Sequence, residues 1–284
     1  MNKFIDNALL EQFNDSISLY VDDDDVKIDE VKAAIIALLT NYHSRMEDIN
    51  FLIKAHRLNS ANVLIRVAFE TSVYLKYIFE KNSRIKSRAK AYYFHDFQKL
   101  SYYLQNLDKT NIVKSIDIID DMNNKIEAQV LGPYKSVNSY FNGMRSKFKN
   151  CFAIENKNLS FKLLKDNDEF TKSKIDSWKW YNDDGNTDTF LKLVCRLNLL
   201  DEYAALYAPT SDNIHSDGLQ HQIKFSQHQI TVQESLDTPL LVYFNSSILE
   251  FIKILGKHIH NSNKGLKISK NLKRARAIYS INND

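Results

Sequence analysis

The chain predicts an all-α helical bundle with a small irregular or hairpin insertion. Three observations carry that expectation. Only 6 Gly and 3 Pro interrupt 284 residues, and these are the residues that most disfavour helix interiors. Hydrophobic residues make up 44%, enough to fill a sizeable core. Apolar side chains recur at spacings of three and four through most of the chain, which places them on one face of a helix.

The elements follow in order. Residues 4–20 read as a short amphipathic helix, with Phe4, Ile5, Leu9, Phe13, Ile17 and Tyr20 near one face. Four acids, Asp22 to Asp25, then interrupt it. Such a run can bind a cation or complement the N-terminal dipole of the next helix. That helix spans about 28–56, with Val31, Ile35, Leu38, Leu39, Tyr42, Met46, Ile49, Leu52 and Ile53 in register. Leu58-Asn59-Ser60 supplies a break and a capping side chain. Ser60–Phe79 is nearly all apolar or small, with Val63, Val67, Tyr74 and Ile78 as its stripe and Arg66, Glu70 and Lys76 as its only charges.

Further helices are expected over 84–107, 110–128 and about 134–149. Residues 150–185 read as an irregular excursion that docks by Trp178, Trp180 and Tyr181, beside Asp183-Asp184-Gly185. Helix resumes over 187–207. Alternation in Gln222–Glu234 (Ile223, Phe225, Ile230, Val232) reads as a hairpin. Leu240–His260 is the last packed helix.

Residues 1–263 are therefore expected to form one helical domain, including an N-terminal helix and acidic linker over 1–25, with 264–284 as a basic tail. Lys264, Lys267, Lys270, Lys273, Arg274 and Arg276 lie where no acid occurs between Asn261 and Ile281. Removing those six from a net +3 leaves the remainder at −3. Lys267, Lys270, Lys273, Arg274 and Arg276 are the candidate nucleic-acid contacts, because clustered cations displace counterions from phosphate backbones. The alternative for the segment is a solubilising end.

Composition argues against several classes. Cys151 and Cys195 make no disulfide framework. The N-terminus meets charge at once, unlike a signal peptide. The longest apolar run, Ala33 to Leu39, is too short to span a membrane. A cytoplasmic protein without a membrane partner is expected. No glycine-rich phosphate loop and no Gly-x-Ser-x-Gly elbow occurs. His215, His221 and His228, with Asp212 and Asp217, have gaps that match no tight metal pattern, so no metal and no cofactor is expected. His258-Ile-His260 points to opposite sides of a helix and reads as surface.

Two polar constellations remain. Arg66 and Glu70 sit one turn apart on an apolar helix, and a guanidinium and carboxylate placed there must pair. Late in the chain, Tyr207, Ser211 and His215 are each four residues apart. Pro209 kinks that helix or starts a new one near its first turn. Ser211, Asp212 and Asp217 flank His215 and can tune its charge near neutral pH. Such a histidine can move protons during cleavage of a phosphodiester or another ester. It can also be a histidine hydrogen-bonded between helices.

The segment Leu64-Ile-Arg66-Val-Ala-Phe-Glu70, with the late Tyr207-x3-Ser211-x3-His215, resembles a family of all-helical bacterial proteins of unassigned function related to the HEPN group (higher eukaryotes and prokaryotes nucleotide-binding). The similarity covers roughly residues 40 to 260. It implies a HEPN-like bundle, homo-oligomerisation, RNA and a cognate protein as partners, and a role in antiviral defence or toxin–antitoxin systems. It further implies metal-independent RNA cleavage by an Arg, a polar residue and a His. Ala208, Pro209 and Thr210 occupy the window where the Arg before His215 would stand, and Ala89 follows Arg88 ahead of His95. The expected site is thus composite, with Arg66, Glu70, Tyr207, Ser211 and His215 lining one pocket. Arg66 would hold phosphate, Glu70 would orient it, and His215 would act as acid or base with help from Ser211 or Tyr207. The alternative is a non-catalytic sensing or binding module, recognising a nucleotide, a phage component or a partner protein, in which the same five side chains fix helix packing.

Overall fold

The computed structural model describes residues 5–23, 28–95, 137–153, 178–207, 223–226, 229–232 and 238–283. Helices dominate: α1 (Asn7–Val21), α2 (Glu30–Lys54), α3 (Leu58–Phe79), α4 (residues 85–95, entered through a 3-10 turn at Asn82–Arg84), α5 (Val137–Ala153), α6 (Phe190–Arg196), α7 (Thr238–His258) and α8 (Ser262–Asn283). A helical turn at Leu200–Glu202 runs into a π-helix at Tyr203–Tyr207. Strands Ile223–Ser226 and Gln229–Val232 pair antiparallel, with Ile223 opposite Val232 and Phe225 opposite Ile230. The fold is an all-α bundle with a hairpin insertion. The helix expected over 110–128 lies outside the described residues.

The helix ends follow local chemistry. Asp6 caps α1, accepting from Ala8 N at 2.8 Å and Leu9 N at 3.2 Å. The break after α2 falls at Ala55–Arg57, slightly before the Leu58-Asn59-Ser60 break expected. His56 takes a left-handed φ of 54°. Arg57 N then bonds Leu52 O at 2.8 Å and His56 N bonds Ile53 O at 3.0 Å, the pattern of a Schellman cap. The single helix expected over 187–207 is divided in the same way. Asn198 (φ 56°) closes α6, with Leu199 N on Val194 O and Asn198 N on Cys195 O, both at 3.1 Å. Neither break involves glycine or proline, so the one at Asn198 leaves no such mark in the sequence.

The chain forms two compact units. The first contains Met1–Asp29, Ile35–Phe79 and Val194–Asp284. Here α1 packs on α7 and α8, and the π-helix packs on α3 and α7. Phe13, Tyr42, Phe244 and Phe251 form its aromatic centre; Tyr42 and Phe251 meet edge-on at 5.3 Å. Each such ring contributes about 1.5–3 kcal/mol by leaving water. On α3 the buried face runs through Ala61, Ile65, Ala68, Phe69, Ser72 and Val73. Val63, assigned to the stripe from its spacing, is 39% exposed.

The basic segment after Asn261 is helix α8. Asn261 caps it, accepting from Asn263 N at 3.1 Å and Lys264 N at 3.2 Å. Ile268, Asn271 and Ala275 are buried, and Asn271 donates to Ser16 Oγ at 3.3 Å. Gly256 permits the approach of α7 to α8: a Cβ there would lie 3.2 Å from Ile268 Cγ2. The acidic run is also used structurally. Asp22 closes α1, and buried Asp23 accepts from His260 N at 2.9 Å.

The second unit contains Glu30–Ala34 and Glu80–Leu193. The expected aromatic docking is present in it. Trp180 meets Tyr92 at 5.0 Å and Trp178 meets Phe152 at 6.4 Å, both edge-on. Asp184 organises the following turn by accepting from Asn186 N and Thr187 N at 2.8 and 2.9 Å. Gly185 adopts a φ of 79° there, which costs other residues strain.

Candidate functional site

Arg66 and Glu70 lie one turn apart on α3, and Tyr207 closes the π-helix. A π-helix widens the turn and is frequently found at functional sites. Arg66 Nη2 donates to the Tyr207 hydroxyl at 2.7 Å, and Arg66 Nε lies 3.4 Å from Glu70 Oε1. The guanidinium carbon also sits 4.3 Å from the centre of the Tyr207 ring, a cation–π contact. Tyr203 stacks on that ring at 4.8 Å, and Phe69 tilts against it at 6.2 Å. Arg66 and Glu70 thus meet Tyr207, the first residue of the late motif, within the first unit.

The place is reachable by water. The Arg66 side chain is 20% exposed and that of Glu70 31%. Burial favours the neutral form of Arg66, but Tyr207 and Glu70 outweigh it and raise its pKa. The guanidinium is therefore always charged. Burial raises the Tyr207 pKa, and the charge of Glu70 and a hydrogen bond with it raise it further, against the pull of Arg66. The residue stays a phenol, able to accept from Arg66 and donate onward. Together they offer a fixed positive fork, suited to a phosphate oxygen, and a neutral hydroxyl beside it. Ser211 and His215, the other two expected members, lie outside the described residues.

Other expected residues have different places. Lys267, Lys270, Lys273, Arg274 and Arg276 are all exposed along α8. Arg88 is buried to 1% of its surface. It bonds Asp183 Oδ2 through Nε at 3.0 Å and lies 2.7 Å from Glu80 Oε2. His95 tilts against Phe148 at 6.0 Å. Arg88 and His95 therefore make no exposed catalytic pair. His258, read as surface, is half-buried and stacks on Phe79 at 5.4 Å. Spacing could not reveal Tyr203, Phe69 or the Arg88–Asp183 pair, because each depends on contacts between distant segments.

The fold and this site define a helical-bundle protein with a partly exposed Arg–Glu–Tyr cluster. Residues 32–229 match the profile of a family of unknown function, DUF5677, and the chain belongs to that family. No curated protein and no solved structure gives a significant match.

Proposed function

We propose that the chain is a HEPN-like defence or toxin-type protein that cleaves RNA without a metal. The observation that supports this reading is the 2.7 Å bond from Arg66 to Tyr207 at a solvent-reachable position. It joins an early phosphate-binding group to the residue that opens Tyr207-x3-Ser211-x3-His215. In this scheme Arg66 binds a non-bridging oxygen of the scissile phosphate, and Glu70 holds the guanidinium in place. His215 takes the proton from the ribose 2′-hydroxyl. The 2′-oxygen forms a bond to phosphorus as the bond from phosphorus to the 5′-oxygen breaks. The departing oxygen collects a proton from Tyr207 or Ser211. The products are a 2′,3′-cyclic phosphate and a 5′-hydroxyl end. Lys267, Lys270, Lys273, Arg274 and Arg276 would attract the RNA from α8, and two copies of the chain would associate.

One observation favours a second reading. Arg66, Glu70 and Tyr207 already satisfy one another. Such a triangle also suits a non-catalytic sensing module, in which the cluster locks the π-helix to α3. Total cellular RNA incubated with and without a chelator separates the two. The ribonuclease reading requires cutting in both conditions by the wild type and none by His215→Ala. Intact RNA with the wild-type protein supports the module.

A further inference from the structure

The second unit holds a cavity of about 550 Å3 that the Arg66 cluster does not use. Ser83, Ser87, Lys90 and Phe94 line it at spacings of four, three and four residues, and so share one face of the chain entering and forming α4. Lys147, Asn150 and Cys151 line it from one face of α5. Arg84 and Lys86 add two more cations, and Glu30 adds a carboxylate. Among the described residues the lining therefore carries four cations against one acid. Glu30 lies 3.6 Å from Lys90, and Arg84 bonds Asp183 at 3.0 Å. Lys86 and Lys147 have no acidic partner among the described residues. Lys147 Nζ stands 5.4 Å from the Phe94 ring centre.

We infer that this cavity binds a small organic phosphate. Its volume falls in the usual range for small-ligand sites. A concave wall with an excess of one sign concentrates the opposite charge, and lysine binds phosphate as a point charge. The phosphate group sits among Lys86, Lys90 and Lys147, and the apolar body of the ligand lies on Phe94. An RNA path is disfavoured here, because a continuous backbone needs a stripe of cations along the surface. This lining is a local recess flanked by faces of α4 and α5, and it includes Glu30.

Calorimetric titration of the full chain tests the inference, using inorganic pyrophosphate and adenosine triphosphate as probes, with chelator present and sodium chloride as the ionic-strength control. Saturable binding to at least one phosphate probe, and none to chloride, is expected. Lys147→Gln and Lys86→Glu should each weaken it about tenfold or more, whereas Lys147→Arg should retain it. Exposed Lys86 makes its variant safe for folding, and thermal melting checks both. Arg66→Ala should leave this binding unchanged, which separates it from the ribonuclease reading. The inference fails if neither probe binds at millimolar concentration, or if both charge variants bind as the wild type does. It also fails if a short RNA, rather than either small phosphate, loses affinity in Lys147→Gln; the cavity would then belong to a nucleic-acid surface.

Discussion

Arg66 and Tyr207 stand 141 residues apart in the chain and meet through a 2.7 Å hydrogen bond. Tyr207→Phe removes the acceptor and leaves the ring. The hydroxyl's bonds with Arg66 and Glu70, both partly exposed, contribute about 0.5–1.5 kcal/mol each, so melting should shift by several degrees. If the cluster acts on RNA, cleavage should fall much further than that stability change explains. Parallel melting and cleavage curves make the comparison.

The Arg88 cluster should behave in the opposite way. Arg88 and Asp183 are both almost fully buried. Asp183→Ala takes one of two carboxylates from a buried guanidinium that keeps Glu80 at 2.7 Å, so the expected loss lies at or below the lower end of the roughly 3–5 kcal/mol for breaking a buried pair. Arg84, with a 29% exposed side chain on the same carboxylate, should lose far less in Arg84→Ala. Chemical denaturation of the two variants measures the difference. Equal losses would show that burial does not set the strength of this cluster.

His258 gives a pH signature. Burial beside Phe79 lowers its pKa below the usual 6.5, and Lys257 and His260 lower it further. The unfolded chain therefore binds the proton more readily, and stability rises with pH through this window. The contribution is complete above about pH 6.5. It declines as the pH falls from there through the depressed folded value. The melting temperature should drop on acidification across that range, and His258→Gln should flatten this part of the profile.

Helix α8 combines two roles that a deletion would confuse. Ile268 and Ala275 are core residues, so removing 262–284 should destabilise the first unit. Replacing Lys267, Lys270, Lys273, Arg274 and Arg276 with Gln leaves that packing intact. If these side chains touch RNA, affinity at low salt should fall and its salt dependence should become shallower, by roughly one unit of slope for each phosphate no longer neutralised. Electrophoretic mobility shifts at several salt concentrations provide the readout.

The helical class was legible because the 3–4 periodicity reports burial directly, as Leu38, Leu39, Tyr42, Met46 and Ile49 illustrate. The hairpin was legible from the alternation around Ile223 and Ile230. The end of α2 near His56 was legible to within a few residues, but the break at Asn198 was not, since no Gly or Pro marks it and its left-handed backbone is closed by hydrogen bonds to earlier carbonyls. Charge alone made α8 resemble a tail; its burial through Ile268, Asn271 and Ala275 depends on partners in α1 and α7. Spacing drew attention to Arg66, Glu70 and Tyr207 separately. Their meeting is a property of the folded first unit.

The most direct measurement is the cleavage rate of RNA by Arg66→Ala and the wild type, in chelator, at a temperature where both are folded. Wild-type cutting that leaves 2′,3′-cyclic phosphate ends, with a roughly 100-fold or greater loss in Arg66→Ala, is the predicted result. A wild-type protein that leaves RNA whole, or an Arg66→Ala variant that cuts as fast as the wild type, would contradict the account.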